Sequence, residues 1–181
     1  MPFLEILTRT FGRRPTMLAV NQASLLAQTC DDWTQTLLID GAGLGIGWAT
    51  ENMAAYAPQL VGDYIWCLDD DDTCIMPDFV AGLRYIAADS DPDVIFVKMD
   101  HGSGRILPDR CWGHAPQCGE IGVSAFVVRC EVWQQHAGAM VPGKYTSDFS
   151  FIDSIWHAQP SVYWWDTIAS RCQRQSLGQP E

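Results

Sequence analysis

Basic residues are scarce in this chain, and long apolar runs are missing. Only 11 of the 181 residues are Lys or Arg, against 22 Asp or Glu, so the formal net charge is −11. A chain this acidic is a poor general binder of nucleic acid or of anionic membranes, because both are negatively charged. No apolar run approaches the roughly 20 residues that a membrane-spanning helix needs. The sequence also has no internal repeat and no low-complexity tract.

Cysteine is present but forms no recognisable framework. The chain has 7 cysteines and no Cys-x-x-Cys pair, which favours reduced thiols. The opening residues 1–7 lack a basic leader, so we expect a cytoplasmic protein. Cys111, His114 and Cys118 are compatible with a structural zinc ion. Their spacing matches no standard zinc motif, and cysteine is often a small buried apolar residue, so both interpretations stay open.

Short apolar segments alternate with helical ones, which is typical of an α/β domain with a mostly parallel sheet and helices on both faces. The length fits one domain, residues 1–181. Residues 1–98 have the pattern of a nucleotide-binding half, and residues 99–181 supply a smaller region that walls the site. The predicted strands are Phe3–Thr8, Thr36–Asp40, Asp63–Leu68, Asp93–Met99, Val123–Arg129 and Val162–Trp165. The predicted helices are Pro15–Thr29, Trp48–Ala57, Pro77–Ala87, Glu131–His136 and Asp148–Trp156.

The most informative segment is an apolar run, Tyr64–Leu68, followed by four consecutive aspartates, Asp69–Asp72. Adjacent carboxylates repel one another, and packing gives no reason to place them together. A bound Mg²⁺ or Mn²⁺ would explain them, since carboxylate oxygens suit both ions. Ligands of open α/β sheets also bind just beyond the carboxyl ends of strands. The alternative is a solvated acidic turn whose last Asp caps the next helix.

Several segments, taken in order, resemble the family 2 glycosyltransferases, which have the GT-A fold. The aspartate run in its context resembles the DxD motif of that family, which is its most recognisable feature. Thr146-Ser147-Asp148 resembles the segment that carries the catalytic carboxylate. The other matching segments are Thr8-Arg9-Thr10, Leu37–Gly41, Ala49–Asn52 and Ile121–Arg129.

The resemblance implies a single Rossmann-like GT-A domain with an acceptor-side subregion, in which residues 1–98 bind the nucleotide sugar and residues 99–181 bind the acceptor and carry the catalytic base. The implied activity is an inverting, metal-dependent hexosyltransferase that moves a sugar from a nucleotide-diphosphate donor, with a UDP-sugar expected, to a hydroxyl. Asp148 would be the general base, and Asp71 and Asp69 would hold Mn²⁺ or Mg²⁺ on the diphosphate. The residues expected to bind the donor nucleotide are Thr8, Arg9, Asp40, Asn52, Asp69 and Asp70. Those expected to bind phosphate are Arg13, Arg171 and Arg174.

Two departures from the family pattern keep other hypotheses open. Glu51 stands where many relatives carry a basic residue, and residues 170–175 lack a His that helps hold metal or diphosphate in many relatives. A degenerate module that binds nucleotide or glycan without turnover is one alternative, and a nucleotidyltransferase is another. The acceptor is expected to be a glycan or, less in keeping with the acidic charge, a hydroxymethylated DNA base. Taken singly, Asp148 is also compatible with a helix N-cap and Asp40 with a turn.

Overall fold

The computed structural model describes residues 1–102, 104–141 and 144–173 of the chain. Within these ranges an eight-stranded sheet lies between two layers of helices, and no described helix is long and apolar enough to cross a bilayer. The strands are β1 (Leu4–Thr10), β2 (Trp33–Ile39), β3 (Tyr64–Cys67), β4 (Asp72–Cys74), β5 (Val94–Asp100), β6 (Ile106–Leu107), β7 (Phe126–Arg129) and β8 (Val162–Cys172). The helices are α1 (Pro15–Leu26), α2 (Ile46–Tyr56), α3 (Phe79–Ser90), α4 (Cys130–His136) and α5 (Ser147–His157).

The strand order is β2-β1-β3-β7-β5-β8-β4, and β6 pairs with β5. β1 is parallel to β2 and β3, and β5 is parallel to β8. β7 lies between β3 and β5 and is antiparallel to both. The five strands β1, β2, β3, β5 and β8 therefore share one direction, and the short strands β4, β6 and β7 oppose it. The predicted α/β fold with a mostly parallel sheet is confirmed.

Alternating side chains of β1 divide the core into two layers, because successive residues of a strand point to opposite faces. Leu4 and Ile6 pack in one layer with Leu83 of α3, and Leu7 packs in the other with Met53 of α2. Helices α1 and α3 cover the first face, and α2, α4 and α5 cover the second. The prediction of helices on both faces is therefore also confirmed.

The aspartate run lies beside the end of β1 because β1 and β3 are parallel neighbours in register. The Leu68 amide donates to the Leu7 carbonyl at 2.9 Å, and the Asp70 amide donates to the Arg9 carbonyl at 3.1 Å. These bonds continue the sheet pairing past Cys67, the last residue of β3. Residues that follow two different strands are thus held together at the carboxyl edge of the sheet, where ligands of α/β proteins bind.

Three elements at the far side of the sheet differ from the sequence prediction. β4 and β6 were not predicted, and β8 continues seven residues beyond Trp165, to Cys172. The strand β4 begins with an aspartate, a residue type that is depleted in strands. It forms because Asp72–Cys74 pairs antiparallel with the end of β8, with Asp72 opposite Cys172. Long-range pairing of this kind leaves no local pattern in the sequence.

Candidate active site

The four aspartates do not share one environment. The side chains of Asp69 and Asp71 are 22% and 21% exposed, whereas Asp70 is fully buried and Asp72 is 5% exposed. Asp69 and Asp71 therefore face an accessible surface, and the other two turn into the protein. The interpretation of the run as a solvated acidic turn is wrong, since two of the four are buried. Asp72 also lies in β4 and caps no helix, because α3 begins at Phe79.

Arg9, near the end of β1, holds Asp69 by two parallel hydrogen bonds. Its Nε donates to Oδ1 at 2.6 Å and its Nη2 donates to Oδ2 at 2.5 Å. A bidentate guanidinium–carboxylate pair of this kind fixes both orientation and distance. Arg9 reaches this position because odd-numbered residues of β1 face helices α2, α4 and α5, as Leu7 does.

Arg14, the residue before α1, lies across the next two aspartates. Its Nη2 is 2.5 Å from Asp70 Oδ1, and its Nη1 is 3.0 Å from Asp71 Oδ2. The backbone amide of Phe11 donates to the other oxygen of Asp70 at 3.3 Å. Arg14 was not among the predicted site residues, although it lies in the arginine cluster near the start of the chain. Pro15 at the first position of α1 is the signal that could have placed it, since it fixes where the helix begins.

Asp148 lies in the first turn of α5 and joins this group. The helix begins at Ser147 with Thr146 at the N-cap, so the interpretation of Asp148 as the helix cap is wrong. Burial raises the pKa of the Asp148 carboxyl, the charge of Arg9 opposes that rise, and the charge of Asp69 adds to it. Asp148 is therefore near enough to the Arg9–Asp69 pair to interact with both charges.

Asp71 has the chemistry of a cation ligand. Burial, the charge of Asp69 and then that of Asp70 raise its pKa to about 6, while the charge of Arg14 opposes the rise. A divalent cation would relieve this crowding of negative charge, and carboxylates are suitable ligands for Mg²⁺ and Mn²⁺. Among the described residues, no three His, Cys, Asp or Glu side chains are grouped to hold a metal by themselves. The residues present therefore fit a cation that takes its other ligands from a bound phosphate.

The buried Asp72 connects the aspartate run to the second half of the chain. Burial raises the pKa of its carboxyl, the charges of Asp69 and Asp71 add to the rise, and hydrogen bonds to Cys172 and Ser124 oppose it. The Ser124 hydroxyl also accepts a hydrogen bond from Ser170 of β8 at 2.9 Å. Asp72 thus ties the aspartate run to Ser124 and to the end of β8.

Asp40 closes β2 and organises the glycine-rich loop that follows. Its two oxygens accept hydrogen bonds from the amides of Gly43 and Gly45, each at 2.7 Å. Burial alone would raise the pKa of Asp40, but the amides of the loop, with Leu44 and Gly45 first, hold it below its usual value. Gly43 and Gly45 have φ of 73° and 75°, a region that favours glycine. The predicted contact of Asp40 with a nucleotide base stays a prediction.

The remaining predicted nucleotide contacts lie in different settings. Thr8 is fully buried, and its hydroxyl accepts a hydrogen bond from Gln35 at 2.8 Å on the face covered by α1. Asn52 is partly buried on α2. Neither Thr8 nor Asp70 has an accessible surface in this structure, and their contact with a nucleotide stays a prediction. Arg9 and Asp69 lie at the site, as described above.

Of the three predicted phosphate ligands, the structure describes Arg13 and Arg171, and these have different partners. Arg13 is exposed, with its guanidinium carbon 5.5 Å from the centre of the Phe11 ring. Arg171 pairs with Asp100, with Nε 2.9 Å from Oδ2, and its side chain is 58% exposed. Arg174 lies outside the described residues. The arginines that contact the aspartate run are Arg9 and Arg14, of which Arg14 was not predicted as a phosphate ligand.

The end of β8 closes over the aspartate run through Gln173. Its amide donates to the Asp71 carbonyl at 2.7 Å, and its side chain donates to the carbonyls of Asp70 and Met17 at 3.3 and 3.2 Å. Gln173 belongs to the segment in which many of the resembling proteins carry a His. No local sequence pattern predicts this contact, because it depends on the pairing of β8 with β4.

The zinc hypothesis finds no support in the described residues. Cys111 is buried in the core, with an exposed fraction of 1%, whereas His114 and Cys118 are exposed. No group of three potential metal-ligating side chains includes them within the described ranges. Cys111 therefore behaves as a small apolar core residue.

The architecture defines an α/β domain with a mostly parallel sheet and an acidic carboxyl edge, and the solved structures refine this class. The chain is similar to TarS from S. aureus, residues 1–349, with 11% identity, a TM-score of 0.70 and coverage of 96% of this chain and 60% of TarS. Other structures of this TarS fragment contain UDP or UDP-GlcNAc. These similarities show that the chain has the GT-A fold, as the sequence predicted.

Two further solved structures have the same fold. The mannosyltransferase PcManGT from Pyrobaculum calidifontis, in complex with GDP-Man and Mn²⁺, has 11% identity, a TM-score of 0.70 and coverage of 98% of this chain and 58% of its own length. A197 from STIV has 15% identity, a TM-score of 0.60 and coverage of 92% and 82%. The chain thus spans about 60% of the length of the TarS fragment and of PcManGT. No protein-family model matches the sequence, and no curated protein matches it.

Proposed function

We propose that this chain is an inverting glycosyltransferase that uses a nucleotide-diphosphate sugar and a divalent cation. The observation that carries the proposal is the aspartate run at the carboxyl edge of a GT-A sheet, where Arg9 holds Asp69, burial and neighbouring charge act on Asp71, and the charges of Arg9 and Asp69 act on Asp148. The ligands of the structural neighbours, UDP or UDP-GlcNAc in TarS and GDP-Man with Mn²⁺ in PcManGT, support this assignment. The proposed donor is a UDP-hexose, the proposed acceptor is a glycan hydroxyl, and the proposed location is the cytoplasm.

Asp148 is the proposed general base. A hydroxyl is a weak nucleophile, so a carboxylate must take its proton as the hydroxyl attacks, and such a base contributes roughly 10²–10⁴-fold. The raised pKa of Asp148 supports this role, because a base is most effective when its pKa approaches the working pH. One base placed opposite the leaving group gives inversion at the anomeric carbon.

Asp71 and Asp69 are the proposed cation ligands. A bound Mn²⁺ or Mg²⁺ would neutralise the charge that develops on the departing nucleoside diphosphate. Arg9 orients Asp69 through its two hydrogen bonds. The residues proposed to bind the donor nucleotide are Asp40, Asn52 and Arg9.

A catalytically inactive nucleotide-binding module is the second candidate, and one observation favours it. Asp69 and Asp71 are both paired with arginines, at 2.5 and 3.0 Å, so guanidinium groups already neutralise part of the charge that a cation would meet. The nucleotidyltransferase hypothesis gains no such observation. It needs an open basic loop after β1, and Arg14 in that loop faces carboxylates.

The test is a donor screen followed by turnover. Thermal unfolding with UDP-, GDP-, TDP- and CDP-sugars plus Mn²⁺ identifies the donor, since a ligand that binds only the folded protein raises Tm. Release of nucleoside diphosphate is then measured for the wild type and for Asp148→Asn. We expect the substitution to lower kcat by about 10²–10⁴-fold with little change in donor affinity.

Asp153→Asn is the matched control on the same helix, because Asp153 is 35% exposed and lies beside His157. It should leave turnover unchanged. Donor binding without turnover by the wild type would favour the inactive module, and equal turnover in the wild type and Asp148→Asn would contradict the assignment of the base.

A further inference from the structure

Arg14 contacts two carboxylates that differ sharply in accessibility. Its Nη2 is 2.5 Å from Asp70, which is fully buried, and its Nη1 is 3.0 Å from Asp71, whose side chain is 21% exposed. One end of the guanidinium therefore points into the protein and the other toward the accessible surface of the site. The Arg14 side chain itself is only 10% exposed.

The contact with Asp70 has the features of a permanent anchor. Asp70 has no exposed surface, so leaving its charge without a cation would be costly. The Phe11 amide holds its other oxygen at 3.3 Å, and the Asp70 amide itself is bonded to Arg9 of β1. Separating Arg14 from Asp70 would leave the buried Asp70 charge without a partner.

The contact with Asp71 has the features of an exchangeable one. It is a single hydrogen bond at 3.0 Å, compared with the two bonds of 2.6 and 2.5 Å that hold Asp69 to Arg9. Asp71 shares its arginine with Asp70, because Arg14 contacts both. It is also accessible, so another cation can reach it.

We propose that Arg14 competes with the divalent cation for Asp71 and then binds the diphosphate. In the nucleotide-free protein, Nη1 of Arg14 occupies Asp71. When the donor arrives with its cation, the cation takes Asp71, and the freed Nη1 pairs with a phosphate oxygen while Nη2 stays on Asp70. The second half of this inference rests on the proposed function, whereas the competition does not. Arg14 is thus a positioning residue that makes cation binding depend on the donor.

The experiment compares the wild type with Arg14→Ala by calorimetry, first with Mn²⁺ alone and then with UDP at saturating Mn²⁺. Removing the competing guanidinium should make Mn²⁺ bind alone about tenfold more tightly, the equivalent of one charge-assisted hydrogen bond. Removing the phosphate partner should weaken UDP binding by about tenfold. The two affinities therefore move in opposite directions, which loss of structure would not produce.

Arg84→Ala is the matched control, because Arg84 also pairs with an aspartate, Asp32, which lies directly before the start of β2 and away from the aspartate run. It should change neither affinity. Arg14→Lys keeps the charge on a single ammonium group and should bind Mn²⁺ between the wild type and Arg14→Ala, which provides the test if the alanine variant unfolds. Unchanged Mn²⁺ affinity in both Arg14 variants would overturn the competition. Tighter Mn²⁺ binding in the variants, with no nucleotide binding by the wild type, would support the competition and overturn the proposed function.

Discussion

Arginines pair with carboxylates at both ends of the parallel strands, but the carboxylates differ in burial between the two ends. At the carboxyl edge, Arg9 and Arg14 meet consecutive aspartates that are partly or fully buried. At the opposite edge, which we call the starting edge because β1 and β3 begin there, Arg129 meets Asp91 and Glu131, each 73% exposed. The carboxylates of the starting edge come from separate segments, so each can point away from the others.

The second difference is how completely the acidic groups are satisfied. Glu5 at the starting edge is fully buried, yet it accepts hydrogen bonds from the Thr36 and Tyr56 hydroxyls and from the amides of Val61 and Gly62. At the carboxyl edge, burial and then the charges of Asp69 and Asp70 raise the pKa of Asp71 to about 6, even though Arg14 lies beside it. The carboxylate of Glu5, which accepts four hydrogen bonds, holds loops together. Carboxylates with raised pKa values, such as Asp71, are typical of sites that bind ligands.

The largest effect that would test this comparison is expected from Glu5→Ala. The substitution leaves four donors without their acceptor in a buried position, and we expect unfolding free energy to fall by about 3 kcal/mol. Urea unfolding measures the loss, and Mn²⁺–nucleotide affinity of the folded protein should not change. A large loss of affinity with normal stability would show that the starting edge also serves the ligand site.

A smaller effect is expected from Arg129→Ala. The guanidinium donates to the Asp91 carbonyl at 2.5 Å and to the Pro92 carbonyl at 3.3 Å, and thereby ties the loop before β5 to β7. Its charge partners are mostly exposed, so each ion pair contributes little. We expect a loss of about 1–2 kcal/mol by urea unfolding, with Arg110→Ala, in a 76% exposed side chain, as the control. If the unfolding free energy falls no further than in Arg110→Ala, Arg129 does not stabilise the connection between the loop before β5 and β7.

The smallest effect is expected in alkaline solution from Tyr64. Burial raises the pKa of this phenol to about 12, the charge of Arg129 opposes the rise, and those of Asp91 and Asp93 add to it. The folded protein therefore favours the protonated phenol. The resulting stability is present below pH 10 and is lost as pH rises through about 12.

From pH 8 to pH 11, the wild type should lose about 1 kcal/mol more stability than Tyr64→Phe. The variant lacks this titration but keeps the ring in the core. Parallel loss in both proteins, measured by urea unfolding at the two pH values, would mean that the phenol titrates normally.

The strands and helices of the first half could be predicted from local patterns, and the reason is visible in β1 and β3. Their residues are buried on both faces, which gives the continuous apolar runs that indicate parallel strands. The strand β4 and the last seven residues of β8 could not be predicted, because Asp72 and Arg171 are strand residues only through their pairing with each other's strands.

The place of the aspartate run at the carboxyl edge of the sheet could be predicted from the sequence, whereas its arginine partners could be predicted only in part. Four adjacent aspartates are unusual enough to draw attention in a sequence, and the role of Asp148, which rests on the family resemblance, stays a prediction. Arg14 was not predicted, although the predicted start of α1 at Pro15 places it directly before the helix. Which of Arg13 and Arg14 faces the aspartates depends on the backbone of the loop between β1 and α1, which the sequence does not show. The burial of Thr8 and Asp70 likewise depends on which face each residue takes, and four consecutive aspartates show no period that would reveal it.

The register of β1 carries a consequence for how this chain can change. Arg9 faces the aspartates and Thr8 faces α1 because neighbours along an extended chain alternate sides. Loss of one residue before Arg9 would exchange the two faces. The Arg9 guanidinium would then point into an apolar layer, and a threonine hydroxyl would point toward Asp69. The fold can therefore tolerate point substitutions in β1, whereas it cannot tolerate single-residue insertions or deletions there.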